Sequence, residues 1–289
     1  MKSKYKNTIW LLPALFIIIT FTIVPFFLQI SDSFQVSEIN NMNGYQKIFS
    51  DTNFINSITN TLFYLIVPIF TISLSITFAY IISQLSSKFF RKVSIDLIYL
   101  QYLFIGVAVS AMFAFLFQTN YGFINTIREA NGLDPIEFIS STGFNTTLTT
   151  SLYLLISSLP FYTVVISYKF IKSIETLSDK FKMNNIEKDY YKFKILLSEN
   201  KKVILSLFLL VSFQMLVSFP IGLFGNLDNM ILNNGLTIVG YINYMINISN
   251  SVNASAASMI LLLIIILYIG PIYFFNKWKI KERRFSWNY

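Results

Sequence analysis

Residues 54–83 read FINSITNTLFYLIVPIFTISLSITFAYIIS and contain no Asp, Glu, Lys or Arg. A helix needs only about 20 predominantly apolar residues to cross the hydrocarbon core of a bilayer. Lipid offers the backbone no hydrogen-bond partners, so a spanning segment of this kind is expected to be a helix, which pairs its own N–H and C=O groups. The stretch therefore predicts a membrane-spanning helix.

The same pattern recurs along the chain, which is 54% hydrophobic and only 12% charged, whereas soluble domains carry about 25% charged residues. Charge-free windows cover 7–31, 52–87, 97–127, 138–168, 203–227 and 229–276. Their apolar cores predict spans at 9–31, 58–86, 94–117, 147–168, 203–226 and 255–276. We predict an all-α, polytopic membrane protein with six transmembrane helices, in a single transmembrane domain covering residues 1–289.

The N-terminal window has a second interpretation, because Lys2, Lys4 and Lys6 before an apolar run also describe a secretory signal peptide. The run from Ile9 to Ile30 is longer than the apolar region of about 7–15 residues in signal peptides. It ends in LQISDSF, without a small-x-small cleavage pattern. We interpret this window as a retained span.

The basic residues predict the orientation of the chain. With the N-terminus in the cytoplasm, 20 of the 22 Lys and Arg residues lie inside and only Lys47 and Arg128 lie outside. Both termini are therefore expected in the cytoplasm, with the protein in the plasma (inner) membrane of the cell. Trp10 and Trp278 then fall at the cytoplasmic interface, which favours indole rings. The net charge of +8 is explained by topology, so we expect contact with membrane lipid and no nucleic-acid partner.

No predicted span carries an ionisable residue near its middle, which argues against a carboxylate-based ion pump or a voltage sensor. Neutral polar residues do occur within the spans, and two interpretations stay open for them. They line a route for a polar, uncharged solute, or they form interhelical hydrogen bonds worth about 0.6 kcal/mol each. These candidate pathway residues are Asn60, Gln101, Ser212, Gln214 and Ser218.

The sequence carries no sign of catalysis. It has no His and no Cys, and it lacks the patterns of a phosphate-binding loop, a serine-hydrolase elbow and a zinc protease. We therefore expect no catalytic residue, no metal site and no cofactor bound by this chain, which is not predicted to be an enzyme. Energy for transport would come from another subunit or from a gradient.

Charge is concentrated in one segment, IETLSDKFKMNNIEKDYYKFKILLS at 174–198, which the orientation places in the cytoplasm. It predicts a short helix starting in a capping-box-like manner at Thr176, a turn, and a second helix. Leu177 and Phe181 are four apart and share a face of the first helix.

The turn is predicted at Asn184 and Asn185, because Asn tolerates the left-handed conformation of a helix stop. Ile186, Tyr190 and Phe193 then share one side of the second helix, which leads into the fifth span. The alternative is a solvated basic loop held against anionic lipid.

Several windows, taken in order, resemble the permease subunits of carbohydrate-type ABC importers, the family of the maltose and glycerol-phosphate permeases. WLLPALFIIITFTIVPFFLQISDSF is similar to the first span of that family, and SLPFYTVVI and NASAASMILLLIIIL are similar to the fourth and last. The entry to the second span and an external segment match at Gly44, Tyr45, Asp51, Phe54, Asn60 and Thr61, and at Tyr121, Gly122, Asn125, Gly132, Leu133 and Pro135.

The resemblance implies that residues 174–198 hold a coupling helix that docks on an ATPase subunit. The family pattern there is E-A-A-x-x-D-G-A. Asp179 stands for the Glu, Lys180 and Phe181 for the two Ala, and Asn184 and Asn185 for the Asp and Gly. The loop departs from the pattern, because the larger side chains of Lys180 and Phe181 need a differently shaped docking groove from that of the two Ala. The resemblance implies the coupling residues Leu177, Asp179, Lys180, Phe181, Asn184 and Asn185.

As a whole, the resemblance implies a permease subunit that forms half of the pathway for a sugar or sugar-like solute. Implied partners are a second permease subunit, identical or related, two cytoplasmic ATPase subunits that use ATP and Mg²⁺, and an extracellular solute-binding protein. Two alternatives stay open: a gradient-driven carrier, and a sensor or assembly subunit that keeps the permease fold without transporting.

Overall fold

The computed structural model of the protein describes residues 12–35, 43–103, 106–119, 122–140, 143–183 and 189–285. Within these ranges the regular secondary structure is helical, with no β-strand. The α-helices are α1 (Leu12–Ile18), α2 (Val24–Ser33), α3 (Gly44–Phe49), α4 (Thr52–Phe63), α5 (Val67–Gln84), α6 (Lys88–Leu103), α7 (Gly106–Phe117), α8 (Phe123–Ala130), α9 (Phe144–Met183), α10 (Asp189–Leu216), α11 (Ile221–Phe224), α12 (Leu227–Leu232), α13 (Ile238–Asn247) and α14 (Ser251–Phe285).

Within the described ranges, four helical stretches are long and apolar enough to cross a membrane: Pro13–Ser33, Thr52–Gln84, Phe144–Leu177 and Ser251–Tyr273. They overlap the first, second, fourth and sixth predicted spans. Many large apolar side chains on them are exposed, as expected of surfaces that face lipid.

The third and fifth predicted spans look different. The described residues of the third, 94–117, belong to α6 and α7, on either side of residues 104–105, which lie outside the described ranges. The fifth, 203–226, is wrong at its C-terminal end, because α10 ends at Leu216. Pro220 follows closely, and proline lacks the N–H that a continuing helix would use. Because the whole window lacks charge, composition alone does not reveal that the helix ends within it.

Two other prolines lie where the helical geometry changes. A π-helical turn at Ile19–Ile23 precedes Pro25 in the first turn of α2, and a 3₁₀ turn at Tyr64–Ile66 precedes Pro68 in the first turn of α5. A proline cannot donate to the preceding turn and its ring crowds that turn, so a local change of hydrogen-bond spacing relieves the conflict.

α5 packs along α9 through small and hydroxyl-bearing residues. The buried Ser75 hydroxyl accepts from Thr163 Oγ1 at 3.2 Å, and Thr71 Oγ1 lies 3.4 Å from Ser158 Oγ. Thr71, Ser75 and Ala79 recur every four residues, so they form one stripe on α5. Small residues let two helices approach closely where lipid provides no hydrophobic drive for association.

A second packing unit joins α3, the start of α4, α13 and α14 around the buried residues Phe54 and Tyr241, whose rings are 5.0 Å apart. The Tyr241 hydroxyl donates to Asp51 Oδ2 at 2.8 Å, and Asp51 Oδ1 accepts from the N–H of Asn53 at the start of α4. Burial and then the Asp51 bond raise the pKa of the Tyr241 phenol, so it stays a protonated donor at neutral pH.

The predicted helix start at Thr176 is wrong, because α9 runs without interruption from Phe144 to Met183. Thr176 Oγ1 donates to the main-chain oxygens of Lys172 and Ser173 behind it, at 3.1 and 3.0 Å. A threonine inside a helix often makes this backward bond instead of a cap. The predicted second helix does lead into the fifth span, since α10 is continuous from Asp189.

Candidate functional site

Asn60 on α4 joins three separate parts of the chain, and its side chain is almost fully buried. Its Nδ2 donates to the main-chain oxygens of Asn234 at 2.7 Å and Leu236 at 2.9 Å. Its Oδ1 accepts from Thr147 Oγ1 at 3.0 Å. Asn60 therefore holds α4, the first turns of α9 and the segment after α12 in fixed positions.

The segment after α12 reaches Asn60 through a turn with two special backbone positions. Asn234 has φ 51°, in the left-handed region that Asn tolerates better than other non-glycine residues. A Cβ on Gly235 would lie 2.3 Å from the ring of Phe224, so any other residue there would force the buried ring to shift. The Gly235 N–H donates to the main-chain oxygen of Met230 at 2.8 Å and closes the turn.

A cavity of about 300 Å³ lies beside Asn60, between α4, the start of α9 and this turn. We call it the Asn60 cavity. It is lined by amides, hydroxyl groups, two phenylalanines and one glycine, with no charged residue among them: Asn56, Thr59, Asn60, Phe63, Gly143, Phe144, Thr147 and Asn234. At its rim, Asn56 Nδ2 donates to Asn234 Oδ1 at 3.3 Å. The arrangement suits a neutral solute that carries hydroxyl groups.

A second polar surface lies on α6, α9 and α10, further along α9 from the Asn60 cavity. Gln101 and Gln214 are both exposed. Gln214 Oε1 accepts from the hydroxyl of the buried Tyr162 at 3.0 Å, and Gln101 Nε2 lies 3.4 Å from the main-chain oxygen of Ile156. Both amides therefore stand against the middle of α9.

Aromatic rings accompany these two amides. Tyr99 stacks on Tyr102 with centroids 5.8 Å apart, Tyr102 lies 5.8 Å from Phe161, and Phe161 meets Tyr162 edge to face at 5.3 Å. Tyr99 and Tyr102 are exposed. We call Gln101, Gln214 and these rings the amide–aromatic face.

The other two candidate pathway residues are enclosed in the protein. Ser212 and Ser218 are buried, and neither hydroxyl has a hydrogen-bond partner among the described residues. Thr237 Oγ1 donates to the main-chain oxygen of Ser218 at 2.8 Å. Of the five candidates, Asn60 alone lines the cavity, Gln101 and Gln214 lie on the amide–aromatic face, and the two serines reach neither.

Sequence reasoning missed most of the cavity. Asn56 had a recoverable signal, because it precedes Asn60 by four residues and so lies on the same helix face. Thr147, Phe144 and Asn234 come from distant parts of the chain, and no local pattern connects them to α4.

The coupling segment is described at its two ends. Asn184 and Asn185 lie outside the described residues, as do the side chains of Asp179, Lys180 and Phe181, which belong to the last turns of α9. Leu177 is half-buried.

The helices on either side of this segment are firmly packed. The Tyr80 hydroxyl donates to the main-chain oxygen of Asp189 at 2.9 Å, and its ring meets Phe193 at 5.0 Å. Asn200 Nδ2 donates to Ser173 Oγ at 2.9 Å. Tyr190 does not join Phe193 in this packing, since its side chain is 69% exposed.

Comparison with known proteins supplies the decisive observation. Over 274 residues the chain is 26% identical to the probable ABC transporter permease protein MG188 of Mycoplasma genitalium, covering 91% of this chain and 83% of that protein. Its homologue in Mycoplasma pneumoniae is 28% identical over 282 residues, covering 92% of this chain and 84% of that protein. The chain is a homologue of ABC transporter permease proteins. No protein-family model matches it.

Two solved structures show that this ABC permease homologue has the corresponding fold. A chain of a bacterial alginate ABC transporter, crystallised with an alginate pentasaccharide-bound periplasmic protein, superposes with a TM-score of 0.75, 18% identity and coverage of 94% of this chain and 93% of that one. A chain of a bacterial ABC transporter that imports the acidic polysaccharide alginate gives a TM-score of 0.76, with 17% identity and 96% coverage of both chains.

The homology and the four apolar helices together identify a multi-pass membrane protein. The resemblance to ABC permeases inferred from ordered sequence windows is thereby confirmed. The homologues are permease subunits, which do not themselves carry out catalysis.

Proposed function

We propose that this chain is the translocation subunit of an ATP-driven importer and forms half of the pathway for a sugar or sugar-like solute. The observation that carries the proposal is homology to ABC permeases over 91% of the chain. The alginate transporter fold supports a carbohydrate-like solute. We extend the proposal to a single transmembrane domain of six spans with both termini in the cytoplasm, based on the distribution of Lys and Arg.

The amide–aromatic face supports the proposal of a second permease subunit, identical or related to this chain. Phe161 and Tyr162 lie near the middle of the apolar stretch Phe144–Leu177, so in the proposed topology this face would lie near the bilayer centre. Gln101 and Gln214 are exposed there with one hydrogen bond each, and the remaining polar atoms of an amide would be costly to leave unpaired in hydrocarbon. In the assembled importer this face would border a water-filled pathway shared with the second subunit.

The ends of α9 and α10 support energy coupling at residues 174–198. Both helix ends are fixed by Tyr80, Phe193 and Asn200, so a force on the segment between them would pass into the bundle. Tyr190 and Tyr191 are exposed and suit contact with an ATPase subunit. We propose two cytoplasmic ATPase subunits that bind ATP and Mg²⁺, and an extracellular solute-binding protein; the chain itself binds no cofactor.

Affinity purification of the tagged chain from its native membranes in mild detergent tests this assembly. An ATPase with a phosphate-binding loop and a second permease should co-purify. Phe181→Asp replaces the apolar residue that the family resemblance assigns to docking, and loss of an interface anchor of about 2 kcal/mol weakens binding roughly thirtyfold.

Lys192→Gln is the matched control, because Lys192 makes a surface ion pair with Asp189 at 3.8 Å that contributes little. Recovery of the chain without any ATPase would contradict the proposal and favour a gradient-driven carrier. A third outcome would favour a sensor or assembly subunit. In that case the tagged chain co-purifies with the full assembly, but cells from which the chain is deleted take up the solute at an undiminished rate.

A further inference from the structure

We propose that the Asn60 cavity is a binding site for one ring of a neutral, hydroxyl-rich solute. This inference rests on the proposed function and narrows its substrate class. Under this proposal the solute binds first in the Asn60 cavity, near one end of α4 and α9 and away from the amide–aromatic face. By the predicted orientation, that end is on the extracellular side.

The absence of charged residues from the cavity lining decides which class of sugar the cavity suits. None of its lining residues is Lys, Arg, Asp or Glu. A carboxylate or phosphate group placed there would lose its hydration without gaining a counter-charge, which is strongly unfavourable. The cavity therefore favours neutral sugars over sugar acids, unlike the transporter of similar fold that imports the acidic polysaccharide alginate.

The lining has the groups that a neutral sugar requires. The side chains of Asn56 and Thr59 are exposed into this region and carry amide and hydroxyl groups for the sugar hydroxyls. Phe63 and Phe144 offer apolar rings to the C–H faces of the sugar, and Phe144 is 65% exposed. Binding sites for small molecules commonly combine apolar walls with a few placed polar groups.

Asn60 acts here as a positioning residue. Its two donor bonds go to the Asn234 and Leu236 carbonyls and its acceptor bond comes from Thr147, so it fixes the wall of the cavity. The volume of about 300 Å³ is at the lower end of the range for ligand sites, which is about 300–1,000 Å³. It suits one ring at a time, with further rings of an oligosaccharide extending outside.

Protection of an introduced cysteine tests the proposal directly, since the natural chain has no Cys. Thr59→Cys is made in the full chain, and membrane vesicles containing its native partners are treated with a membrane-impermeant maleimide. Neutral probes are glucose, galactose, mannose and their disaccharides, and acidic probes are galacturonate, glucuronate and mannuronate. We expect at least one neutral probe to slow labelling about fivefold or more at saturation, and the acidic probes to leave the rate unchanged.

The matched control is Asn247→Cys, at the exposed end of α13, whose labelling should not respond to any probe. Phe144→Ala added to Thr59→Cys should abolish the protection. Protection by a uronate, protection by no neutral sugar, or equal protection at both positions would overturn the proposal. If protection fails while sugar-stimulated ATP hydrolysis by the complex persists, the site assignment is wrong and the importer function stands.

Discussion

The amide nitrogen of Asn60 donates to the main-chain oxygen of Asn234 at 2.7 Å, across 174 positions of sequence. The partner is a carbonyl in a left-handed turn, and the same amide also reaches Leu236. One side chain thus connects the first turns of a membrane-spanning helix with the short helices near the other end of the chain. The shape of the Asn60 cavity depends on this connection.

Asn60→Leu should destabilise the protein by about 2–3 kcal/mol, because it leaves buried carbonyl and hydroxyl groups without a partner. Thermal unfolding in detergent, followed by the loss of monodisperse protein, measures the effect. Asn56→Ala is the control, since Asn56 is exposed and makes a single 3.3 Å bond to Asn234. Equal stability of the two variants would show that the Asn60 bonds do not hold the turn.

Gly235→Ala should cost about 1–3 kcal/mol, the usual range for overpacking a filled site. The new methyl group would meet the Phe224 ring, which is buried in a packed cluster and so has little room to move aside. Gly270→Ala in α14 is the matched control, because a Cβ there has nothing within 4 Å. The melting temperatures of the two variants should separate clearly, and a Gly235→Ala protein as stable as the control would contradict the packing described for the turn.

Gln214→Leu should reduce solute uptake at least tenfold, because the exposed amide serves the proposed pathway. It should also lower the melting temperature, because the buried Tyr162 hydroxyl loses its acceptor. Tyr162→Phe should give a smaller loss of uptake, since it removes the 3.0 Å bond that orients Gln214 and keeps the buried ring. Uptake in proteoliposomes of the whole complex measures both. Full uptake by Gln214→Leu would place the pathway elsewhere.

Single cysteines test the orientation inferred from the basic residues. Cysteines replacing Asn131 and Asn247 should react with an impermeant thiol reagent in intact cells, whereas those replacing Lys88 and Lys194 should react only after the membrane is opened. All four positions are exposed in the structure, so burial does not confound the comparison. Labelling of the Lys194→Cys protein in intact cells would contradict the predicted orientation.

The sequence predicts what depends on local composition. The charge-free window 138–168 located the apolar part of α9, because a helix that crosses lipid must exclude charge from the segment inside the bilayer. The end of α10 at Leu216 was missed, because the break near Pro220 lies inside an apolar window. Thr176 was mistaken for a cap, since the same hydroxyl can bond forwards from a helix start or backwards within a helix.

The candidate site was predictable only in part for a related reason. Asn60 stood out as an amide within an apolar run. Its partners Thr147, Asn234 and Leu236 are defined by tertiary packing, which no periodicity along one helix reveals. The buried Ser212 is likewise a polar residue within an apolar run, and yet it does not line the Asn60 cavity.

Solute uptake by reconstituted vesicles tests the central claim most directly. Vesicles holding the purified native complex should take up a sugar only when ATP and Mg²⁺ are supplied on the side of the ATPase subunits, and vesicles holding this chain alone should take up none. Robust uptake by the chain alone, without ATP, would contradict the account and identify a gradient-driven carrier instead.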